Sequence, residues 1–291
     1  AKSGDVVELS KGSIRINGQR KGFIEGNSTS SSETKLFPPN SNFSLDNYGP
    51  VRVPKPGDIL YLTKESFPQW ENLIRSEEHS VSWSEQVGCV IDGQPTTTYI
   101  VKENYLFVLG MDKELSLLEL MCYFNRKSIN YRIKDKWANF VSISLSNPNF
   151  DIEELGGTIK IAKIIFKGKD KKELTNFFNN LEIPNKNKVY YSVNNDLIKE
   201  ILSKRFKEEH IKAYYKSNVN DPSSAIKLDL ELINFKDYIA KVIQVSNPKL
   251  YKKRDELRPR FDEKKVTSIR LAKILINLSQ AKKEIFDPFC G

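Results

Sequence analysis

The stretch from Asn104 to Leu120 constrains this chain most, because the sequence changes character inside it. Tyr105 to Leu109 is a short apolar run with aromatic and β-branched content, bounded by Gly110, which predicts a buried strand. Ser116 stands three residues before Glu119, at the head of an apolar run through Leu117, Leu118, Leu120, Met121 and Phe124. That is a capping-box pattern and predicts a helix start.

Charge changes at the same place. Residues 1–112 hold 11 Lys+Arg against 14 Asp+Glu, a net of −3, while residues 113–291 hold 35 against 23, a net of +12. So one-sided a basic excess points to an anionic partner for the downstream part, most often nucleic acid. With 291 residues, 39% of them hydrophobic and 29% charged, the chain has the composition of a globular protein with room for about two domains. No apolar run reaches the roughly 18 residues of a membrane span, and no leader-like segment opens the chain. Cys89, Cys122 and Cys290 lack metal-ligand or disulfide spacing and read as small buried hydrophobes, with no metal site expected. His79 and His210 adjoin glutamates and are expected on polar surfaces.

Upstream, Val7, Leu9, Ile14 and Ile16 alternate with polar residues and run into Asn17-Gly18, a hairpin signal. Ser-rich, irregular sequence follows from Asn27, then a strand at Ile59 to Leu62, a helix from Phe67 to Ser76, and a second hairpin turn at Asp92-Gly93. Downstream, strands are predicted over 140–145, 158–166, 188–193, 225–235 and 238–245, the last two antiparallel, with helices over 171–181 and 196–206. The sum is an α+β layer with helices on one face of a sheet and solvent on the other.

Basic residues cluster twice, from Lys160 to Lys172 and from Lys249 to Lys265. In the second, Pro248 and Pro259 suggest an extended linker whose arginines grip phosphates and whose aromatic residues stack on bases. Tyr251, Arg254, Arg258, Arg260, Lys264 and Lys265 are the candidate RNA-binding residues.

Two family resemblances rest on ordered motifs. Gly4-Asp5-Val6-Val7-Glu8, Gly12 to Gly18, Asp46 to Pro50, Val53 to Asp58, Ile91 to Gln94 and Tyr105 to Gly110 resemble the β-domain of bacterial type I signal peptidases, over roughly residues 1–110. That resemblance implies a mostly-β, membrane-associated, extracytoplasmic domain using a serine nucleophile and a lysine base. The matching Ser-x-Met and lysine segments are not found in this chain, so no peptidase activity is expected of it.

Leu155-Gly-Gly-Thr-Ile-Lys-Ile-Ala162, Tyr251 with Arg254-Asp255 and Arg258-Pro259, Arg270 to Leu278, and Phe286-Asp-Pro-Phe-Cys-Gly291 resemble a THUMP-class tRNA guanine-N2-methyltransferase, from about Leu106 onward. The resemblance implies a cytoplasmic tRNA-binding enzyme that uses S-adenosylmethionine, with Asp287, Pro288, Phe289 and Gly291 as part of the cofactor motif. Because the sequence ends at Gly291, the methyl-transfer site is expected to be incomplete and the cofactor not to bind.

The expected composite has three parts. Residues 1–110 form an incomplete signal-peptidase-like β-domain, 111–245 a ferredoxin-like plus THUMP-like RNA-binding region, and 246–291 a basic linker leading into a Rossmann-like methyltransferase domain. The expected function is tRNA binding without catalysis. A peptidase fragment or an inert chimera is the alternative.

Overall fold

A computed structural model of the chain describes residues 4–10, 13–23, 47–184, 186–217, 219, 221–257 and 267–281. The chain divides into two compact units, Ala1–Lys102 and Glu103–Gly291. The strand expected over Tyr105 to Leu109 therefore lies whole within the second unit.

In the first unit, β1 (Val6–Ser10), β2 (Ser13–Ile16), β3 (Gln19–Phe23) and β4 (Asn47–Arg52) form a sheet in the order β3-β2-β1-β4. Asn17 and Gly18 join β2 to β3 with φ of +53° and +78°, the mirror-image turn that a two-residue hairpin needs. Next come β5 (Ile59–Tyr61), α1 (Phe67–Ser76), β6 (Val81–Ser84), β7 (Gly88–Ile91), β8 (Gln94–Pro95) and β9 (Thr98–Ile100). β5 pairs with β9, and β6-β7-β8 form a meander turning at Asp92-Gly93. Leu60, Phe67, Ile74, Val81, Cys89 and Tyr99 close a core between them.

His79 departs from expectation. It is buried, with Nδ1 2.6 Å from Asp92 Oδ2 and Nε2 3.2 Å from Lys102 Nζ. Its polar neighbours in space, rather than those in sequence, decide its place. His210 is exposed as expected.

The second unit is α+β. Its strands are β10 (Glu103–Leu109), β11 (Tyr131–Trp137), β12 (Phe140–Leu145), β13 (Thr158–Lys167), β14 (Lys188–Val193), β15 (Lys212–Tyr215), β16 (Leu230–Phe235) and β17 (Tyr238–Val245). They make one sheet in the order β11-β12-β10-β13-β17-β16-β14-β15. Its helices are α2 (Lys113–Arg126), α3 (Lys171–Asn180), α4 (Asp196–Glu208), α5 (Pro222–Ala225), α6 (Pro248–Glu256) and α7 (Ile269–Ser279).

Alternation along the strands splits the side chains between two faces. Tyr105, Phe107 and Leu109 pack with Leu120, Tyr123 and Phe124 of α2, while Val189, Tyr191, Leu230 and Leu232 pack with Phe178 of α3 and Leu202 of α4. Each such large side chain, fully buried, stabilises the fold by about 1.5–3 kcal/mol. The intervening residues Leu106, Val108, Ala162, Ile233, Phe235 and Ala240 form a single cluster on the opposite face. Since that cluster joins both halves of the sheet, α2, α3 and α4 share one face, as expected. The other face is apolar at its centre and exposed to solvent at β14 and β15.

Curvature explains the central cluster. Phe140 of β12 and Phe235 of β16 have ring centroids 5.5 Å apart, although three strands lie between their own. A flat sheet would separate those strands by roughly 19 Å at about 4.8 Å per step, so the sheet curls toward its helix-free face. An ion pair between Lys236 and Asp135 closes the same curl.

Three local expectations are corrected. The cap of α2 is Asp112, whose side chain accepts from Leu115 N at 3.0 Å, and Ser116 lies inside the helix with its hydroxyl on Asp112 O. The strand expected from Ala225 begins only at Leu230, because Asp221 and Pro222 start the short helix α5 first. The expected extended linker at Pro248 is α6, in which Asn247 caps and the proline takes the first helical position, where its missing N–H costs nothing.

Candidate nucleic-acid interface

Two strands carry the same four-residue pattern, Lys188-Val-Tyr-Tyr191 and Lys212-Ala-Tyr-Tyr215. β14 and β15 pair in parallel with Lys188 opposite Lys212, Tyr190 opposite Tyr214 and Tyr191 opposite Tyr215. Val189, Tyr191, Ala213 and Tyr215 go to the helix-covered core. Lys188, Tyr190, Lys212 and Tyr214 consequently share the helix-free face, all exposed.

Tyr190 and Tyr214 are stacked, with centroids 5.2 Å apart and ring planes at 23°. They are 38% and 44% exposed. Lys216 Nζ lies 5.8 Å from the Tyr190 ring centre. The backbone beneath is fixed from the neighbouring segment, since Asp229 Oδ2 accepts from Tyr190 N at 2.9 Å and Asp229 N donates to Tyr190 O at 2.8 Å. Asp229 Oδ1 holds Lys186 at 2.5 Å, and this bond, with the Tyr190 N–H, keeps the Asp229 carboxyl below its ordinary value. Beside Tyr190 opens a cleft of about 490 Å³ lined by Lys216, Ser217, Asp221, Ser224 and Lys227.

Chemically, this is a rigid aromatic surface with lysine ammonium groups around it. Such a surface can stack on a base, at about 1–3 kcal/mol per base, while the lysines neutralise phosphates. None of these residues is among those the sequence points to. The repeated Lys-x-Tyr-Tyr is the signal that could have found them, and only the parallel register turns it into a surface.

The anticipated site residues fall elsewhere. Tyr251 is 2% exposed, its hydroxyl donates to Glu153 Oε2 at 3.2 Å, and Lys273 Nζ covers its ring at 4.0 Å. No face is left for a base, which corrects the stacking role expected of it. Burial, with the Glu153 carboxylate adding, pushes its hydroxyl pKa up, and burial pushes the Lys273 ammonium down against the opposing pull of Glu153. Arg254 is exposed on α6. Arg258, Arg260, Lys264, Lys265, Asp287, Pro288, Phe289 and Gly291 lie outside the described residues.

The first basic cluster is dispersed. Lys160 is buried in an ion pair with Glu231, Lys163 pairs with Glu103, and Lys169, Lys171 and Lys172 are exposed around the start of α3.

Cys89 and Cys122 are buried free thiols. Among the described residues no group of three His, Cys, Asp or Glu side chains is placed to hold a metal ion, and no helix is long and apolar enough to cross a membrane.

No protein family and no curated protein matches the chain. Solved structures similar to it include a possible methylase from Clostridium difficile 630, at 12% identity over 61% of this chain and 48% of that one, with a TM-score of 0.35. PH1313 from Pyrococcus horikoshii Ot3 is similar at 7% identity over 50% of this chain and 55% of that one, with a TM-score of 0.34. A 4-thiouridine synthetase, solved as an RNA complex with bound ATP, is similar at 8% identity over 50% of this chain and 42% of that one, with a TM-score of 0.29. The chain thus spans about half the length of each.

Proposed function

We propose that the second unit binds structured RNA, with tRNA as the first candidate, through the helix-free face of its sheet at β14 and β15. The observation that carries this reading is the stacked, exposed Tyr190–Tyr214 pair in register with Lys188 and Lys212. The net +12 of residues 113–291 supplies the long-range attraction. Arg254, with Arg258, Arg260, Lys264 and Lys265, forms a second set of phosphate-binding candidates.

The finer reading is the tRNA-holding part of a THUMP-class guanine-N2-methyltransferase. Its support is the order of motifs from Leu155 to Gly291 and a strand order that begins, in chain order, 2-3-1-4, as in a ferredoxin-like unit. S-adenosylmethionine would supply the methyl group of that family's reaction, and Asp287, Pro288, Phe289 and Gly291 are the residues that the resemblance assigns to it. The first unit, with 11 Lys+Arg against 12 Asp+Glu over residues 1–102, has no basic excess and is assigned no share of the RNA affinity.

The experiment is binding of the purified chain to a tRNA pool and to duplex DNA of equal charge across a salt series. Salt-sensitive binding that prefers tRNA supports the reading. Equal, weak binding to both would remove it.

A further inference from the structure

The helix-free face holds a second cleft, of about 600 Å³, whose polar lining includes Asn139, Lys160, Ser192, Asn194, Asp196 and Glu231. Lys160 and Glu231 project from β13 and β16 and are 5% and 8% exposed. Lys160 Nζ donates to Glu231 Oε1 at 2.5 Å and to Val219 O at 2.9 Å. A lysine ammonium has three hydrogens, so one is left without an acceptor among the described residues. Glu231 Oε2 has no hydrogen-bond partner among the described residues. Leaving a buried carboxylate oxygen without a donor is unfavourable, and a ligand N–H would relieve it. Burial also pushes the Glu231 carboxyl up, against the pull of Lys160.

Both side chains line the cleft, Oε2 itself being closed off in this conformation, so the pair offers one donor and, once the Glu231 carboxyl turns outward, one acceptor beside it. A partner that satisfies both carries an acceptor next to a donor. The Watson–Crick edge of every nucleobase does so, and in a duplex that edge is occupied by the complementary base. Ser192 stands opposite Glu231 in the β14–β16 register, so the cleft lies on the same two-strand segment that displays Tyr190.

We propose that this cleft takes the Watson–Crick edge of an extruded, single-stranded nucleobase, Lys160 donating to its ring or carbonyl acceptor and Glu231 Oε2 accepting from its N–H. The proposal rests on the RNA-binding reading and adds selectivity for unpaired over paired RNA. Stacking at Tyr190 is a separate contact, because it leaves the Watson–Crick edge free.

The test compares the whole chain with a Lys160→Met/Glu231→Leu variant, a swap that removes both charges together and is often neutral for stability. Each binds a single-stranded oligoribonucleotide and the duplex it forms with its complement. The wild type should prefer the single strand, and the variant should lose roughly tenfold on the single strand alone, the scale of one base-edge contact. Equal single-strand affinity in a folded variant overturns the proposal while leaving RNA binding intact. If the wild type binds neither RNA, the functional reading itself fails and the proposal with it. If the variant does not fold, dimethyl sulfate probing of the wild-type complex decides. With a carbodiimide added to read uracil N3 and guanine N1, protection of the Watson–Crick edge of an unpaired base is the expected result, and unchanged reactivity at every unpaired base overturns the proposal.

Discussion

Asn277 donates from Nδ2 to Oε1 of Glu119 at 2.9 Å, across 158 positions of sequence. The same carboxylate accepts from Gly156 N and Gly157 N, each at 2.7 Å, and is fully buried. Asn277 also donates to Glu154 O, and Arg270 of the same helix to Gly156 O, both at 2.9 Å. α7 is thus locked onto α2 and the 155–157 turn, so that a distant helix completes the first half of the second unit.

Glu119→Leu keeps the volume but strands two glycine N–H donors in the core. We expect it to cost about 1–3 kcal/mol for each buried donor left without an acceptor. Urea unfolding of the variant measures this. A loss below about 1 kcal/mol would mean that the three bonds hold nothing together.

The glycines of that turn are squeezed. A Cβ on Gly157 would stand 2.5 Å from Ser116 Oγ and 2.7 Å from Ser116 Cβ, and one on Gly156 would stand 2.1 Å from Arg270 O. Gly157→Ala should destabilise by about 1–3 kcal/mol through overpacking, and Gly156→Ala, which meets backbone, by no less. Thermal unfolding at matched concentration reads both, and stabilities equal to wild type would contradict the packing.

These bonds also separate what is legible in the sequence from what is not. The hairpins at Asn17-Gly18 and Asp92-Gly93, the strand at Tyr105 to Leu109 and the helices over 67–76, 171–181 and 196–206 follow from local pattern. Ser116 and Glu119 also match a pattern, yet Asp112 caps the helix first and Glu119 is drawn to glycines 37 and 38 residues away. Tyr251 looks like an exposed aromatic among basic residues because its cover, Lys273, arrives from α7. Tyr190 and Tyr214 lie 24 residues apart and become one surface only through strand pairing. Local propensity reaches along the chain, and the site is made across it.

The first unit should be acid-sensitive. Asp92 is held below its ordinary value of 3.8, chiefly by its hydrogen bond from His79, and Asp58 likewise by the Lys55 N–H with Arg52 adding. A depressed folded value means stability that is present above the unfolded value and lost as pH falls through the folded one. Unfolding midpoints should therefore drop below about pH 4, and Asp92→Asn should flatten that dependence. An identical acid profile for the variant would contradict the assignment.

Lys188, Lys212, Lys216 and Lys227 are exposed on or beside the proposed interface. Replacing each by Gln should reduce the slope of log affinity against log salt by roughly 1 for every phosphate that is no longer neutralised. The same change at Lys204 and Lys207, on the helix-covered side, should leave the slope unaltered. A slope that responds equally to both sets would mean diffuse attraction without a defined surface.

The most direct measurement is the affinity of the whole chain for a tRNA pool at fixed salt, against Tyr190→Ala/Tyr214→Ala and Tyr190→Phe/Tyr214→Phe variants. Both rings are exposed, so the fold should survive either change, with far-ultraviolet circular dichroism as the check. The account predicts a loss of about 1–3 kcal/mol per stacked base for the alanine pair and near-wild-type affinity for the phenylalanine pair. Undiminished binding by a folded alanine variant would contradict it.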